Sequence, residues 1–339
     1  MNGVIKIGVI KIGVIKIGVI VPKSGPSELL GASFLRAVKL AQEDLNNTKN
    51  TYELIIEDSG TTPEQAESAI RKLIDVDHVH ALLGGISKTG EIVKSYATAA
   101  KIPHVCVCSV KTIGDGEYNF TNIPIPEDEA RRWVTEARSR GIKTVAIISL
   151  DYPSINGHVK ALREEAPGAG ISIVYDEQFE ESKTDFRAMI ADANKDGQPD
   201  VYFVSGYPPA LDTLREQLKE LGARNVASIV APSISDRMDL FEGDWYTDSD
   251  LAHDEFRTRF EQKYPNTRFA THMMPYAYDS FNILVQAFES GKDPVEYVRG
   301  VTLYKGEAGE ITREPGSGNF RSRPAVWVIN NGRPKLVKR

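Results

Sequence analysis

A glycine-bounded segment, residues 85–90 (GISKTG), has the composition of an anion-binding loop. It follows a predicted strand, Ala81–Leu83, and a helical pattern comes after it. Glycines let backbone N–H groups approach a ligand closely, and the N-terminus of a helix carries partial positive charge. The segment therefore predicts a cradle for a small anion.

Known catalytic loops do not match this segment. A phosphate-binding loop requires Gly-x-x-x-x-Gly-Lys-Ser/Thr and a nucleophile elbow requires Gly-x-Ser-x-Gly, and neither spacing occurs here. Residues 192–197 (DANKDG) begin like a calcium loop, but Phe203 occupies the position of the bidentate glutamate. No nucleophile and base can be paired from the remaining pattern. We expect no catalysis, no metal and no cofactor.

Three lysines follow predicted strands, where they would favour an anionic ligand. They are Lys23, Lys88 and Lys111. Lys23 shares its loop with Ser24, directly after Pro22. The alternative for each lysine is a solvated loop position, because lysine side chains are seldom buried. Their common location at strand ends predicts positive charge beside the ligand.

An alternation of strands and helices must position these residues. The apolar run Ile17–Val21 ends at Pro22, and helical spacing follows at Phe34, Val38 and Ala41. Further strands are predicted at Glu53–Glu57, Ala81–Leu83, Val105–Cys108, Val145–Ile148, Ile171–Tyr175, Val201–Val204 and Ser228–Val230. Helices are predicted at Pro63–Ile74, Glu127–Arg140, Asp185–Asn194 and Leu211–Leu221. This alternation predicts parallel sheets with helices on both faces, and ligands bind at the carboxyl ends of such strands.

Length and composition restrict the class of protein. A chain of 339 residues suits two domains. Hydrophobic residues make up 41% and charged residues 26%, which is an ordinary globular composition. The net charge of −6 argues against a nucleic-acid partner. No apolar run approaches the ~20 residues of a membrane span.

The two cysteines, Cys106 and Cys108, stand in a predicted strand. Residues two apart in a strand lie on one face, roughly 6.5–7 Å from each other, near the upper limit for a disulfide. We therefore expect two buried free thiols.

The N-terminus contains a tandem repeat of the unit Gly-Val-Ile-Lys-Ile. Three copies start at Gly3, Gly8 and Gly13, and a partial fourth copy begins at Gly18. The lysines interrupt the apolar core that a signal peptide needs. Only the last copy leads into the loop after Pro22, so we expect it to form the first strand and residues 1–15 to be a repeat or tail.

Six segments, in order along the chain, resemble the periplasmic solute-binding proteins of ABC importers that capture branched-chain amino acids, the type I periplasmic binding protein family. The first, residues 17–31 (IGVIVPKSGPSELLG), joins a buried strand to a Ser-Gly-Pro loop and a later glycine. The other segments are residues 81–90, 102–110, 118–132, 200–222 and 276–289. The resemblance covers nearly everything after residue 16.

This resemblance implies two Rossmann-like, doubly wound α/β lobes joined by three crossovers that act as a hinge. The crossings would fall near residues 123–126, 243–250 and 319–325. The first lobe would hold residues 1–122 and 250–322, and the second residues 123–249 and 323–339. Such a hinge implies closure around a ligand.

The resemblance also implies how a ligand carboxylate is held. In the family, the loop equivalent to residues 85–90 binds it together with the equivalents of Cys108, Ser109 and Val110. Ser87, Thr89 and Ser109 would supply hydroxyl groups. The alternative for Ser87 or Thr89 is that the side chain only caps the helix.

The sequence departs from the family pattern at several positions. Lys23 replaces an apolar residue, Lys88 replaces the serine that grips the carboxylate, and Leu30 replaces an aromatic residue. Ser233 stands where amino-acid binders place the acid for the ligand's ammonium group, and the nearest acid is Asp236. A buried ammonium without a carboxylate partner is unfavourable. An amino-acid site therefore requires Asp236 to substitute.

Aromatic residues are available for the walls of the cleft. Tyr152 and Tyr207 match cleft-facing tyrosines of the family by position. Trp245 lies on the second predicted crossover, from which its ring would reach the cleft. The alternative for Trp245 is packing between the lobes.

Together, these features predict an extracytoplasmic solute-binding protein, periplasmic or extracellular, that delivers a small molecule to the membrane permease of an ABC importer. The expected solute is a small organic carboxylate, with aromatic and amino-acid-like solutes left open. We expect a monomer without enzymatic activity. The alternative is a cytoplasmic ligand sensor of the same fold that acts through a protein partner.

Overall fold

Two β-sheets organise the chain into two α/β lobes. The structure is a computed structural model that describes residues 13–25, 27–250, 254–265, 267 and 269–338. Within these residues no helix is both long and apolar enough to span a membrane.

The first lobe contains an eight-stranded sheet in the order β11-β12-β13-β5-β4-β3-β1-β2. The strands are β1 (Val14–Val21), β2 (Thr51–Asp58), β3 (Ala81–Gly84), β4 (His104–Cys106), β5 (Asn119–Asn122), β11 (Leu303–Gly306), β12 (Gly309–Arg313) and β13 (Asn319–Arg321). Pairing is parallel from β2 to β13 and antiparallel from β13 to β11.

The second lobe contains a seven-stranded sheet in the order β15-β14-β10-β9-β8-β6-β7. The strands are β6 (Thr144–Leu150), β7 (Ser172–Phe179), β8 (Val201–Ser205), β9 (Val226–Ile229), β10 (Trp245–Ser249), β14 (Pro324–Asn330) and β15 (Arg333–Lys338). Pairing is parallel from β7 to β10, and β14 and β15 add antiparallel strands at the edge.

Helices surround both sheets, as the alternating sequence pattern predicts. The first lobe carries α1 (Glu28–Glu43), α2 (Pro63–Arg71), α3 (Ser87–Ala100), α9 (Asp254–Lys263), α10 (Met274–Glu289) and α11 (Pro294–Gly300). The second carries α4 (Pro126–Ser139), α5 (Pro153–Glu165), α6 (Arg187–Ala193), α7 (Ala210–Glu220) and α8 (Ala231–Ile234).

Strand β1 lies inside the first sheet because its side chains are apolar on both faces. Ile17, Val19, Ile20 and Val21 are fully buried, and the strand pairs in parallel with β2 and β3. Buried parallel strands typically read as such continuous apolar runs.

The strand begins earlier than the sequence predicts. Val14 and Ile15, which we assigned to the repeat or tail, pair with Thr51 and Tyr52 of β2. The third copy of the repeat therefore belongs to the sheet, because Val14 to Ile17 continue the parallel pairing with β2. Residues 1–12 lie outside the described residues.

Helix α1 packs closely against the end of β1. A Cβ atom at Gly31 would collide with the carbonyl oxygen of Pro22, so only glycine allows this approach. Phe34 and Val38 are fully buried on the same helix. This packing fixes the loop after β1 at the carboxyl edge of the sheet.

The chain passes between the lobes at three places. It leaves the first sheet after β5 and enters the second lobe at α4, which begins at Pro126. It leaves the second sheet after β10, which ends at Ser249, and re-enters it between β13 and β14. These three passages are adjacent in space, since β10 pairs with β14 and β13 pairs with β5.

Candidate functional site

A cavity lies between the two lobes, at the carboxyl ends of their parallel strands. Its empty volume, open mouth included, is about 620 Å³. Loops after β3 and β4 supply one wall, and loops after β6 and β8 supply the other. This is the position that open parallel sheets use for ligands.

The first-lobe wall presents hydroxyl and amide groups. Ser87, the first residue of α3, and Ser109, after β4, both line the cavity and are buried. The Ser109 N–H donates to Ser87 Oγ over 3.1 Å. Because Ser87 Oγ accepts this bond, its own proton remains available for a ligand. A Cβ at Gly85 would press on Val21, so the loop needs glycine to lie this close to the sheet.

The second-lobe wall presents two tyrosines. Tyr152 follows β6 and Tyr207 follows β8, and both line the cavity. Their rings meet edge to face with centroids 5.0 Å apart. Tyr207 Oη lies 3.0 Å from Ser154 Oγ. Burial raises the pKa of both tyrosines above its usual value, so both rings stay neutral.

A buried acid and histidine also line the cavity, and sequence reasoning missed both. Glu129 of α4 and His158 of α5 place Oε2 and Nε2 2.6 Å apart. Burial raises the pKa of Glu129, while attraction to His158 opposes that rise. The available signal is helical spacing, because Glu129, Ala130 and Trp133 share the buried face of α4.

Ser205 and His272 add further polar groups to the lining of the cavity, and most of the remaining side chains are apolar. These apolar side chains include Leu30, Ile86, Ile155, Ile234 and Met273. Among the described residues, no lysine or arginine lines the cavity.

The predicted lysines therefore lie apart from this cavity. Lys23 is exposed, and its backbone N–H donates to Asp58 Oδ1 over 2.8 Å. Lys88 is exposed in a neighbouring groove. Lys111 lies 3.6 Å from Glu127 and 3.7 Å from Glu314. The lysines follow the strands as predicted, but they face the rim and solvent because a charged side chain gains hydration there.

Two hydroxyl residues of the predicted set line the same neighbouring groove as Lys88. Ser24 is exposed, with its Oγ 3.5 Å from Asp58 Oδ2. Thr89 is buried and donates from Oγ1 to the Ile86 carbonyl over 3.4 Å. Val110 lines a different groove, which reaches Lys160 on α5. These residues surround the central cavity without lining it.

The prediction of free thiols is wrong. A disulfide joins Cys106 and Cys108, whose Cα atoms are 5.2 Å apart. Strand β4 ends at Cys106, so residues 107 and 108 are not extended like a strand. The two cysteines therefore lie closer together than residues two apart in a regular strand. Cys108 is buried behind Ser109 and does not line the cavity.

In the part of the chain that the structure describes, the predicted ammonium-binding region places no acid in the cavity. Ser233 is buried, donates to the Val230 carbonyl over 2.8 Å and lies 3.2 Å from His272 Nδ1. Asp236 is exposed in an outer groove. The acid that does line the cavity is Glu129.

Trp245 lies in the core of the second lobe. It begins β10, is 1% exposed and stacks on Trp133 with ring centroids 5.2 Å apart. Arg140 covers its ring at 4.7 Å. Trp245 does not line the cavity. The predicted crossover is in fact strand β10, and from it the Trp245 side chain packs against Trp133 of α4.

The chain belongs to the periplasmic binding protein family, whose model matches residues 14–305. This confirms the family resemblance found in the sequence. A search of curated proteins found no match.

Solved structures of solute-binding proteins share the fold. The leucine-binding protein LivK of Thermotoga maritima has a TM-score of 0.82 at 19% identity, covering 95% of this chain and 97% of its own. The LivJ protein of Streptococcus pneumoniae, in complex with isoleucine, scores 0.84 at 20% identity, covering 96% and 100%. An ABC-transporter solute-binding protein of R. palustris, in complex with 4-hydroxybenzoate, scores 0.82 at 21% identity, covering 96% of both chains.

Proposed function

We propose that this protein captures a small organic carboxylate with an apolar, aromatic or branched body in the cavity between its lobes. The observation that carries the proposal is the composition of the cavity. Neutral hydrogen-bond donors line one lobe, two tyrosines and the Glu129–His158 pair line the other, and apolar side chains make up most of the rest of the lining.

Ser87 and Ser109 are the proposed carboxylate ligands. The cavity offers no lysine or arginine among the described residues, so the anion relies on hydroxyl groups, backbone N–H groups and the N-terminus of α3. Helix N-termini bind anions in this way. Tyr152 and Tyr207 would cover the body of the solute, since tyrosine combines an apolar face with a polar tip.

Membership of the periplasmic binding protein family supports a role in transport. We propose that the protein is a non-enzymatic, monomeric component that works in the periplasm or outside the cell. The lobes close on the solute, and the closed form delivers it to the permease of an ABC importer. The structures with 4-hydroxybenzoate and isoleucine support a carboxylate-bearing solute, because both ligands carry that group.

A ligand panel tests the proposal. The protein is unfolded and refolded to remove any retained solute, and its melting is followed with benzoate, 4-hydroxybenzoate, 4-methylpentanoate, leucine and benzamide. A ligand at a hundred times its dissociation constant stabilises the folded state by about 2.7 kcal/mol. We expect clear shifts from at least one simple carboxylate and none from benzamide.

Two results would contradict the proposal. Stabilisation by benzamide as strong as that by benzoate would show that the carboxylate is not recognised. Stabilisation by leucine alone would show that the site needs an ammonium group, with Glu129 as its partner.

A further inference from the structure

One ring nitrogen of His158 has no partner in the described part of the chain. The residue lines the cavity and is 5% exposed. Its Nε2 is held by Glu129, but its Nδ1 is buried and has no hydrogen-bond partner among the described residues. Leaving a buried polar atom unpaired is unfavourable, and such atoms are uncommon in native structures. Other buried polar atoms of the chain are also unpaired, but His158 lines the cavity, so a solute bound there can supply the missing partner.

Glu129 orients the imidazole for that group. Both residues are buried on neighbouring helices, and the contact between them fixes the ring through one nitrogen. The partner of one imidazole nitrogen sets the role of the other. His158 thus belongs to the second-lobe wall of the cavity that Ser87 and Ser109 line from the first lobe.

We infer that His158 is a specificity-determining residue whose Nδ1 hydrogen-bonds a hydroxyl group on the solute, at the end that faces the second lobe. This inference rests on the proposed function, because it assumes that the carboxylate of the same solute binds the first lobe. It assigns the solute to the class of hydroxylated carboxylates.

A hydroxyl group is favoured over other polar groups because it both donates and accepts. When Glu129 is ionised and His158 is neutral, Nε2–H donates to the carboxylate and Nδ1 is an acceptor. When the pair carries one more proton, Nδ1–H is a donor. An ammonium group suits only the first arrangement and a carbonyl group only the second, whereas a hydroxyl group suits both.

Matched ligands and two variants test this inference. Affinities of 4-hydroxybenzoate and benzoate are measured by titration calorimetry on the wild type, on His158→Gln and on His158→Asn. Glutamine extends toward the Nε2 position and can keep the Glu129 contact, but it lacks a group at Nδ1. Asparagine keeps a polar group near Nδ1 and loses the contact with Glu129.

The wild type should bind the hydroxylated ligand at least about tenfold more tightly, because a site that hydrogen-bonds a hydroxyl group rejects the analogue that lacks it. His158→Gln should reduce this ratio to near one, and His158→Asn should retain part of it. A purely structural role would weaken both ligands alike and leave the ratio unchanged. Retained benzoate binding by His158→Gln shows that the variant has folded.

Equal affinities of the wild type for the two ligands would overturn the inference and leave the proposed function intact. A ratio that persists in His158→Gln would also overturn it. If the wild type binds no carboxylate in the panel, the proposed function fails and the inference fails with it.

Discussion

Ser87 and Lys88 are neighbours in sequence with different surroundings. Ser87 lines the cavity, whereas Lys88 is exposed in the adjacent groove. Replacing Ser87 by alanine should weaken a carboxylate solute about 10–100-fold, the equivalent of a hydrogen bond to a charged group. Replacing Lys88 by methionine should change affinity less than about threefold, because exposed charges contribute little. Calorimetric titration of both variants measures the difference.

The two variants control for each other, since each removes one polar group from the same turn of α3. A large loss in Lys88→Met with little loss in Ser87→Ala would show that the lysines form the anion site, as their position after the strands first suggested.

Asp248 is a fully buried carboxyl group at the end of β10, where the chain leaves the second lobe. Burial raises the pKa of Asp248 to about 8. The Ser249 N–H donates a hydrogen bond to Asp248 Oδ1 over 2.6 Å, and this bond opposes part of the rise in pKa. The folded state therefore keeps a proton that the unfolded state loses near pH 4. Stability should fall as pH rises from about 4 to 8 and then level off.

Asp248→Asn should remove the contribution of Asp248, because the amide does not titrate. Burial also raises the pKa of Asp244 to about 6 and that of Asp279 to about 7, and these contributions remain in both proteins and cancel in the comparison. The difference in unfolding free energy between wild type and variant should change by up to about 1.4 kcal/mol per pH unit between pH 6.5 and 8. This pH range lies above the one in which His104 matters. Burial lowers the pKa of His104 to about 4, so the cost of keeping this residue neutral in the folded state appears only at acidic pH. Urea unfolding at several pH values provides the measurement, and parallel curves would contradict the assignment.

At the scale of elements, the extent of β1 gives a direct prediction. Deleting residues 2–12 leaves the whole strand, so unfolding free energy should change by less than about 0.5 kcal/mol. Deleting residues 2–17 also removes the pairing of Val14–Ile17 with β2 and the buried side chain of Ile17. That loss should destabilise the protein by at least about 2 kcal/mol.

Urea unfolding of the two truncated proteins compares these effects, and benzoate binding checks that the site survives the shorter deletion. Equal stability of the two would mean that the third copy contributes nothing to the sheet. Destabilisation by the shorter deletion would assign a structural role to residues 2–12.

The sequence predicts those buried parallel strands that are continuous apolar runs, such as Val145–Ile148 and Val201–Val204, to within a few residues, because such runs are typical of buried parallel sheets. It misses β5, whose residues Asn119–Asn122 are mostly polar. It fails at Trp245, whose strand depends on pairing with Val328 from a distant part of the chain. It also misses Glu129 and His158, which lie on different helices. Helical spacing indicates that each is buried, but it does not identify the partner.

At the scale of the whole molecule, the cavity is closed in by both lobes. Solute binding should therefore shift the population toward a compact form, because the bound ligand contacts both walls. Small-angle scattering should give a smaller radius of gyration with a saturating carboxylate than without it. Benzamide provides the control, and an unchanged radius at saturation would contradict closure.

An ion pair lies beside the passages between the lobes, where we expect the pivot of this motion. Arg321 on β13 donates to Asp128 on α4 through Nε and Nη2, over 2.9 and 2.6 Å. Both residues adjoin passages between the lobes. A contact so close to the pivot can persist while the distant edges separate, so we expect it in open and closed forms alike.

The tandem repeat allows the number of units to change without changing the first strand. Adjacent units with the same amino-acid sequence can be gained or lost as whole units without altering the sequence of those that remain. Because Gly13–Ile17 is identical to the two units before it, losing any one unit gives the same shortened chain, still with a full unit before Gly18. The first strand is therefore restored after each such event. If deleting residues 2–12 leaves stability unchanged, as we predict, a change in copy number that keeps one full unit would leave the fold unaltered.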